Sequence, residues 1–264
     1  MNLPWYTYVI LAVAVAGYIY RFVIKRRPEE DIELKTAKFR KSTENALQGD
    51  QLFSVSLDAV FSVWWDVPIN TLNFPKVKHF DDYLEGWGID TKEGYWDLTE
   101  YFIKDGRRWY FNFIFNMVEN EPEQRWDDLM MKKFGANERA HRYLRLLRTG
   151  DALNRLKQNG FITFDSELEI GVAAYDSAIL VTQARRAYSA NMISEQDAWK
   201  VINFAAQLAV SHFSSWEEFS KSFIIGLTLD TPDANVAYRE EIYHQYKQVV
   251  ENKISPWNNL NWPA

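Results

Sequence analysis

At 264 residues, with 16% aromatic side chains and only Gly 11 and Pro 8, the chain is long enough to bury a sizeable core and too poor in turn formers for a β-sandwich. Net charge is −6; the segment up to Arg27 holds four cations and no acid, which leaves −10 on the remainder and excludes a general nucleic-acid binder. Cysteine is absent, so disulfides, thiolate metal sites and cysteine nucleophiles are excluded as well.

The first element is LPWYTYVILAVAVAGYIY, Leu3 to Tyr20, which contains no charged residue. About twenty helical residues rise about 30 Å, the thickness of a bilayer's hydrocarbon layer. Trp5, Tyr6 and Tyr8 mark one end and Tyr18, Tyr20 and Phe22 the other, as interfacial aromatics do, while Arg21 extends its stem toward the headgroups. A cleaved signal peptide wants its positive charge ahead of the apolar stretch, and here Lys25, Arg26 and Arg27 follow it. Residues 1–27 are therefore expected to form a single transmembrane anchor in a bacterial inner membrane. The positive flank keeps the main body cytoplasmic and leaves the N-terminus outside. Residues 28–49 read as a polar juxtamembrane helix or stalk, whose Lys35, Lys38, Arg40 and Lys41 form a solvated face or touch anionic lipid.

From 50 to 254 the pattern predicts helices throughout, hence an all-α bundle, with an irregular tail over 255–264. QLFSVSLDAVFSVWWDV, Gln51 to Val67, is apolar enough for one core helix. Thr91 caps a helix through KEGYWDLTEYFIK that stops at Gly106. RWYFNFIFNMV, Arg108 to Val118, is expected to be largely buried, Pro122 opens another helix, and Asn137 caps ERAHRYLRLLR. Ser166 with Glu169 has the spacing of a capping box ahead of a long apolar helix through Tyr175 to Tyr188. Ser194 caps DAWKVINFAAQLAV, where Ala198, Val201, Ile202, Ala205, Leu208 and Ala209 make one apolar stripe. Ser215 with Glu218 caps the next helix, placing Trp216 and Phe219 on one inward face. Pro232 precedes a last amphipathic helix, Asn235 to Lys253.

AYDSAILVTQARRAYSANMISEQDAW followed by FSSWEEFSKSFIIG resembles the core of a bacterial family known as domain of unknown function 1266. LEGWGI and the Gly106–Arg107 turn resemble its earlier motifs, so that the likeness spans about Phe80 to Gly226. The matching positions include Asp176, Arg185, Tyr188, Ser194, Glu195, Trp199, Ser215, Trp216 and Gly226; Ile179, Asn191 and Leu227 depart from the pattern. The resemblance implies a helical bacterial domain, at times membrane-anchored, and carries no established activity.

Asp176, Arg185 or Arg186, and Glu195 are the best candidate polar cluster. Asp176 and Arg185 lie about 13 Å apart along one helix and cannot pair directly, so they either brace neighbouring helices or line a pocket. Trp199, Trp216 and Glu217 complete the candidate binding set. His79, His141, His212 and His244 fall in no HExxH or HxH spacing, and neither metal nor cofactor is expected. Asp81–Asp82, Asp127–Asp128 and Glu240–Glu241 are read as solvated surface. Arg139, Arg142, Arg145 and Arg148 make a narrow basic stripe, expected to form salt bridges within the acidic body or to receive an acidic or phosphate-bearing partner. No phosphate-binding glycine loop, GxSxG elbow or dinucleotide fingerprint is present. The favoured function is a non-catalytic, protein-binding accessory, such as a toxin antagonist or part of a secretion or membrane complex, with lipid contacted through the first helix. The alternative is a hydrolase with a pocket of Asp176, Arg185, Glu195 and Glu217.

Overall fold

A computed structural model describes residues 36–75, 84–231 and 236–263. The chain divides into two compact units, Met1–Lys35 and Thr36–Ala264, and the second is the body considered below. The expected anchor, with Trp5, Tyr20, Arg21, Lys25, Arg26 and Arg27, lies outside the described residues. Among those described, no helix is long and apolar enough to cross a membrane.

The body is all-α, with no strand among the described residues. In chain order its helices are α1 (Gly49–Ser56), α2 (Ala59–Trp64), α3 (Lys92–Lys104), α4 (Gly106–Asn120), α5 (Trp126–Phe134), α6 (Glu138–Arg148) and α7 (Asp151–Gln158). There follow α8 (Ala173–Ser189), α9 (Glu195–His212), α10 (Trp216–Asp230), α11 (Val236–Glu251) and the short α12 (Pro256–Asn259). Helix α8 is the axis of the fold. It is buried on every face from Ala173 to Ala187, including the charged Asp176, Arg185 and Arg186 that interrupt its apolar residues. It packs chiefly on α9 and α10 and also touches α2, α3 and α4.

Four predicted caps form as the sequence requires. Thr91, Asn137, Ser194 and Ser215 each accept from the backbone N–H three residues on, at 3.0–3.2 Å. Each satisfies one of the amides a helix start leaves unpaired. Glu218 reaches back one residue further than expected, to the N–H and hydroxyl of Ser214, while Trp216 and Phe219 turn inward and meet edge to face at 5.7 Å.

Several expectations need correction. The helix predicted over Gln51 to Val67 is two helices, α1 and α2, because Asp58 at the break turns its carboxylate inward to Arg185. Helix α4 is amphipathic rather than largely buried: Tyr110, Phe111, Ile114 and Met117 face the core, and Asn112 and Asn116 face solvent. The box assigned to Ser166 and Glu169 is made instead by Glu167, whose Oε2 accepts from the N–H groups of Thr163 and Phe164. That carboxylate holds a 3-10 turn, Asp165–Ile170; Gly171 at φ 75 then breaks the chain before α8. The described part of the expected stalk helix, 36–48, is not helical. Arg40 forks onto Asp66 at 2.6 Å, Ser42 and Asn70 exchange two hydrogen bonds, and Asn45 takes φ 53. The tail is folded rather than irregular, since Trp257 stacks on Trp216 at 5.7 Å and donates to Ser56 O, and Trp262 donates to Phe213 O.

Candidate functional site

Gly106 and Gly226 are the two glycines that shape the site. Gly106 takes φ 63 between α3 and α4, and a Cβ there would lie 2.2 Å from Asp176 Oδ2. The absence of a side chain lets the Asp176 carboxylate, fully buried on α8, cap α4 from across the core. Oδ1 accepts from Arg107 N at 2.8 Å, and Oδ2 accepts from Arg108 N at 3.1 Å and Arg108 Nη1 at 2.9 Å. Burial raises its pKa to about 6 against the pull of Arg108 and the two amides. With α4 pinned this way, Arg107 is directed into a cleft.

Gly226 lets α10 approach α8 closely, since a Cβ there would lie 2.5 Å from the Cβ of Tyr175. One turn later α10 ends at Asp230, beside the same tyrosine, and Tyr175 donates its hydroxyl to Asp230 Oδ2 at 3.2 Å. Three guanidiniums converge on the other carboxylate oxygen. Arg107 Nε is 3.0 Å from Oδ1, Arg139 Nε 3.2 Å and Arg142 Nη2 3.4 Å, with Arg142 Nη2 also donating to Asp230 O at 2.7 Å. Arg107 is buried to 3% exposure, stacks over Phe102 at 5.0 Å and Tyr101 at 5.5 Å, and donates from Nη1 to the Tyr101 hydroxyl at 3.0 Å. Burial is the largest influence and opposes its charge, but Asp230 together with Tyr101, Tyr143 and Tyr175 more than offsets it and lifts the pKa above the ordinary value. Tyr143 is fully buried and close enough to feel both charges; burial and Asp230 push its pKa well up, and its hydroxyl has no partner among the described residues.

Arg107, Arg139, Arg142, Tyr175 and Asp230 line one side of a cleft of about 700 Å³, with Tyr143 outside its lining. Its other walls are aromatic and half-buried: Trp87, Tyr101, and the pair Trp64 and Tyr238, which meet edge to face at 5.0 Å. Arg139 and Arg142 also border an open groove along α6 with Glu138, His141 and Arg145. The stripe foreseen on α6 is thus divided. Its first two arginines enter the cleft, whereas Arg148 pairs outside with Glu123 at 2.8 Å and Asp127 at 3.6 Å.

The candidate residues named from the sequence do not meet in one place. Asp176 lies behind the cleft as the cap of α4. Arg185 is a buried brace: Nη1 donates to Asp58 Oδ2 at 2.8 Å and to Ser62 Oγ at 2.5 Å, and Nη2 donates to the carbonyls of Pro68 and Asn73. Arg186, beside it, is held between the rings of Trp65 and Phe74 at 4.6 Å each. Glu195 is exposed and accepts from Trp199 Nε1 at 3.3 Å; Glu217 is exposed and pairs with Lys221 at 3.1 Å; Trp216 Nε1 donates to Leu260 O. The pocket the hydrolase alternative needs from Asp176, Arg185, Glu195 and Glu217 is therefore not assembled. Asp230, Arg107 and Tyr175 were not singled out as site residues; the three-residue arginine spacing and the Gly106–Arg107 turn were the available signals. Among the described residues no group of three or more His, Asp or Glu is placed to hold a metal ion.

Residues 84–262 match the model of a protein family described as a protein of unknown function, DUF1266, so the match runs past Gly226 through α11 and the folded tail. No curated protein and no solved structure matches the chain.

Proposed function

The chain belongs to the DUF1266 family, and from that premise we propose that it is a binding module, tethered to a bacterial inner membrane by residues 1–27 with its body on the cytoplasmic side, which holds a partner rather than transforming it. The observation that supports this reading is the guanidinium cluster. Arg107, Arg139 and Arg142 are set in place by one carboxylate, and Arg107 also by aromatic packing, before anything binds. Preset cations beside aromatic walls are the parts of a recognition surface, because the ordering cost is met in the free protein and the rings supply rigid contact area. The partner is expected to be a protein that lodges an anionic group in the cleft; a toxin held in check, or a component of a secretion or membrane complex, are concrete forms of it. The acidic body repels other anions, while the cationic cleft draws in one of the right shape, so charge selects orientation as well as partner.

Crosslinking in intact cells followed by mass spectrometry and by copurification from detergent tests this. A reproducible partner whose crosslinks map to α6, α11 or the Trp87 segment is the expected result. Recovery of no partner above background across several growth conditions, or turnover of a small molecule by the purified protein, contradicts it. Protease added to spheroplasts is expected to leave the body intact; its digestion there would put the body on the other side.

A further inference from the structure

We propose that the group recognised in the cleft is a phosphate monoester on a flat apolar carrier. The inference rests on the binding reading above and adds to it the chemistry of what is bound. Charge is the first argument. Three guanidiniums share the single Oδ1 of Asp230, at 3.0, 3.2 and 3.4 Å, so that one negative charge faces three positive ones. Behind them Arg108 and Asp176 compensate each other. A phosphate monoester carries a charge of about −1.5 to −2 at neutral pH and closes the remaining gap, whereas one carboxylate closes half of it.

Donor geometry is the second argument. Each guanidinium offers five N–H donors in a fixed fork, and Asp230 takes only a few of them. Arg142, in the cleft wall, has its Nε buried with no hydrogen-bond partner among the described residues. An unsatisfied donor in a site of low exposure is costly, and an acceptor with three oxygens can take it together with guanidinium N–H groups that Asp230 does not engage. The third argument is the wall opposite. Trp64, Trp87 and Tyr238 line the same cleft, whose volume of about 700 Å³ suits a ring attached to the phosphate. The carrier is either an aromatic side chain of the partner or a separate small molecule seated beside it, and both present the same chemistry.

The test is binding to the purified full chain in detergent, read as a thermal shift and by calorimetry. The probes are phenyl phosphate, inorganic phosphate and benzoate, with a phosphotyrosine peptide and a nucleoside monophosphate as the two source arms. Phenyl phosphate is expected to bind most tightly of the first three, inorganic phosphate more weakly and benzoate weakest. Arg139→Ala, at a side chain 44% exposed and so tolerant of truncation, is expected to weaken phenyl phosphate about tenfold. Arg148→Ala, whose ion pairs lie outside the cleft, is expected to leave it unchanged. Equal binding of benzoate and phenyl phosphate, the absence of any phosphate effect, or equal losses in Arg139→Ala and Arg148→Ala would overturn the inference. If a partner crosslinks at the cleft while no phosphate probe binds, the inference falls and the binding reading stands; phosphate binding with no partner recovered upholds the ligand chemistry of the cleft and overturns the protein-partner part of that reading.

Discussion

Asp176 and Arg185 are opposite solutions to one problem, the burial of a charge on a helix with no solvent-facing side. Arg185 has a full-charge partner in Asp58 and further acceptors in Ser62, Pro68 and Asn73, so its fork is spent on holding the 58–74 segment to α8. Asp176 is met by two backbone amides and one partly exposed arginine, and burial still leaves its pKa raised to about 6. The folded state holds this proton more tightly than an unfolded aspartate does, so the residue's contribution to stability is fullest below pH about 4 and is lost as pH rises through about 6. Asp176→Asn is expected to flatten that part of the stability–pH curve. It is also expected to destabilise the fold at pH 7 by about 3 kcal/mol, since either orientation of the amide sets an NH₂ against an existing donor. Urea unfolding from pH 4 to 7 checks both; an unchanged slope in the variant would contradict the assignment. From sequence the two charged residues stand out because they interrupt an apolar helix. Their partners lie 68 to 127 residues away, and no local pattern announces a pairing of that span.

At the scale of elements, caps and apolar stripes were legible because they are written within one turn of chain. Thr91, Asn137, Ser194 and Ser215 are of this kind. Misreadings arose where a distant contact outweighed the local pattern: Asp58 drawn to Arg185, the 36–48 segment laid onto 66–70, and the tail folded under Trp216. The pairing of α8 with α10 shows how such contacts position the site. Glycine in a helix interior costs about 1 kcal/mol relative to alanine, so Gly226→Ala would stabilise an isolated α10. In the folded chain the added methyl meets the Cβ of Tyr175 at 2.5 Å, and overpacking of that kind costs about 1–3 kcal/mol. The expected outcome is a net loss of up to about 2 kcal/mol by urea unfolding. It should come with a displaced Tyr175 and weaker pairing at Asp230, visible as reduced protection of the Asp230 cluster in hydrogen exchange. A stabilised variant with unchanged exchange would show that α10 has room to spare.

On the scale of the whole molecule, an acidic chain has folded so that three of its arginines gather round one aspartate at the mouth of an aromatic cleft. Composition displays the acidity and hides the cleft, because Arg107, Arg139, Arg142 and Asp230 come from helices that meet only in the folded state. The basic stripe on α6 was visible beforehand, but which of its members would be neutralised outside and which turned inward depended on where α10 ends. A photoreactive side chain in place of Tyr238, at the cleft wall, compared with one in place of Met131, exposed on α5, tests the proposed role of this cleft most directly in intact cells. A protein adduct is expected from position 238 alone and should disappear when Arg139→Ala and Arg142→Ala are combined. Equal adducts from both positions, or an adduct at 238 that survives the double substitution, would contradict it.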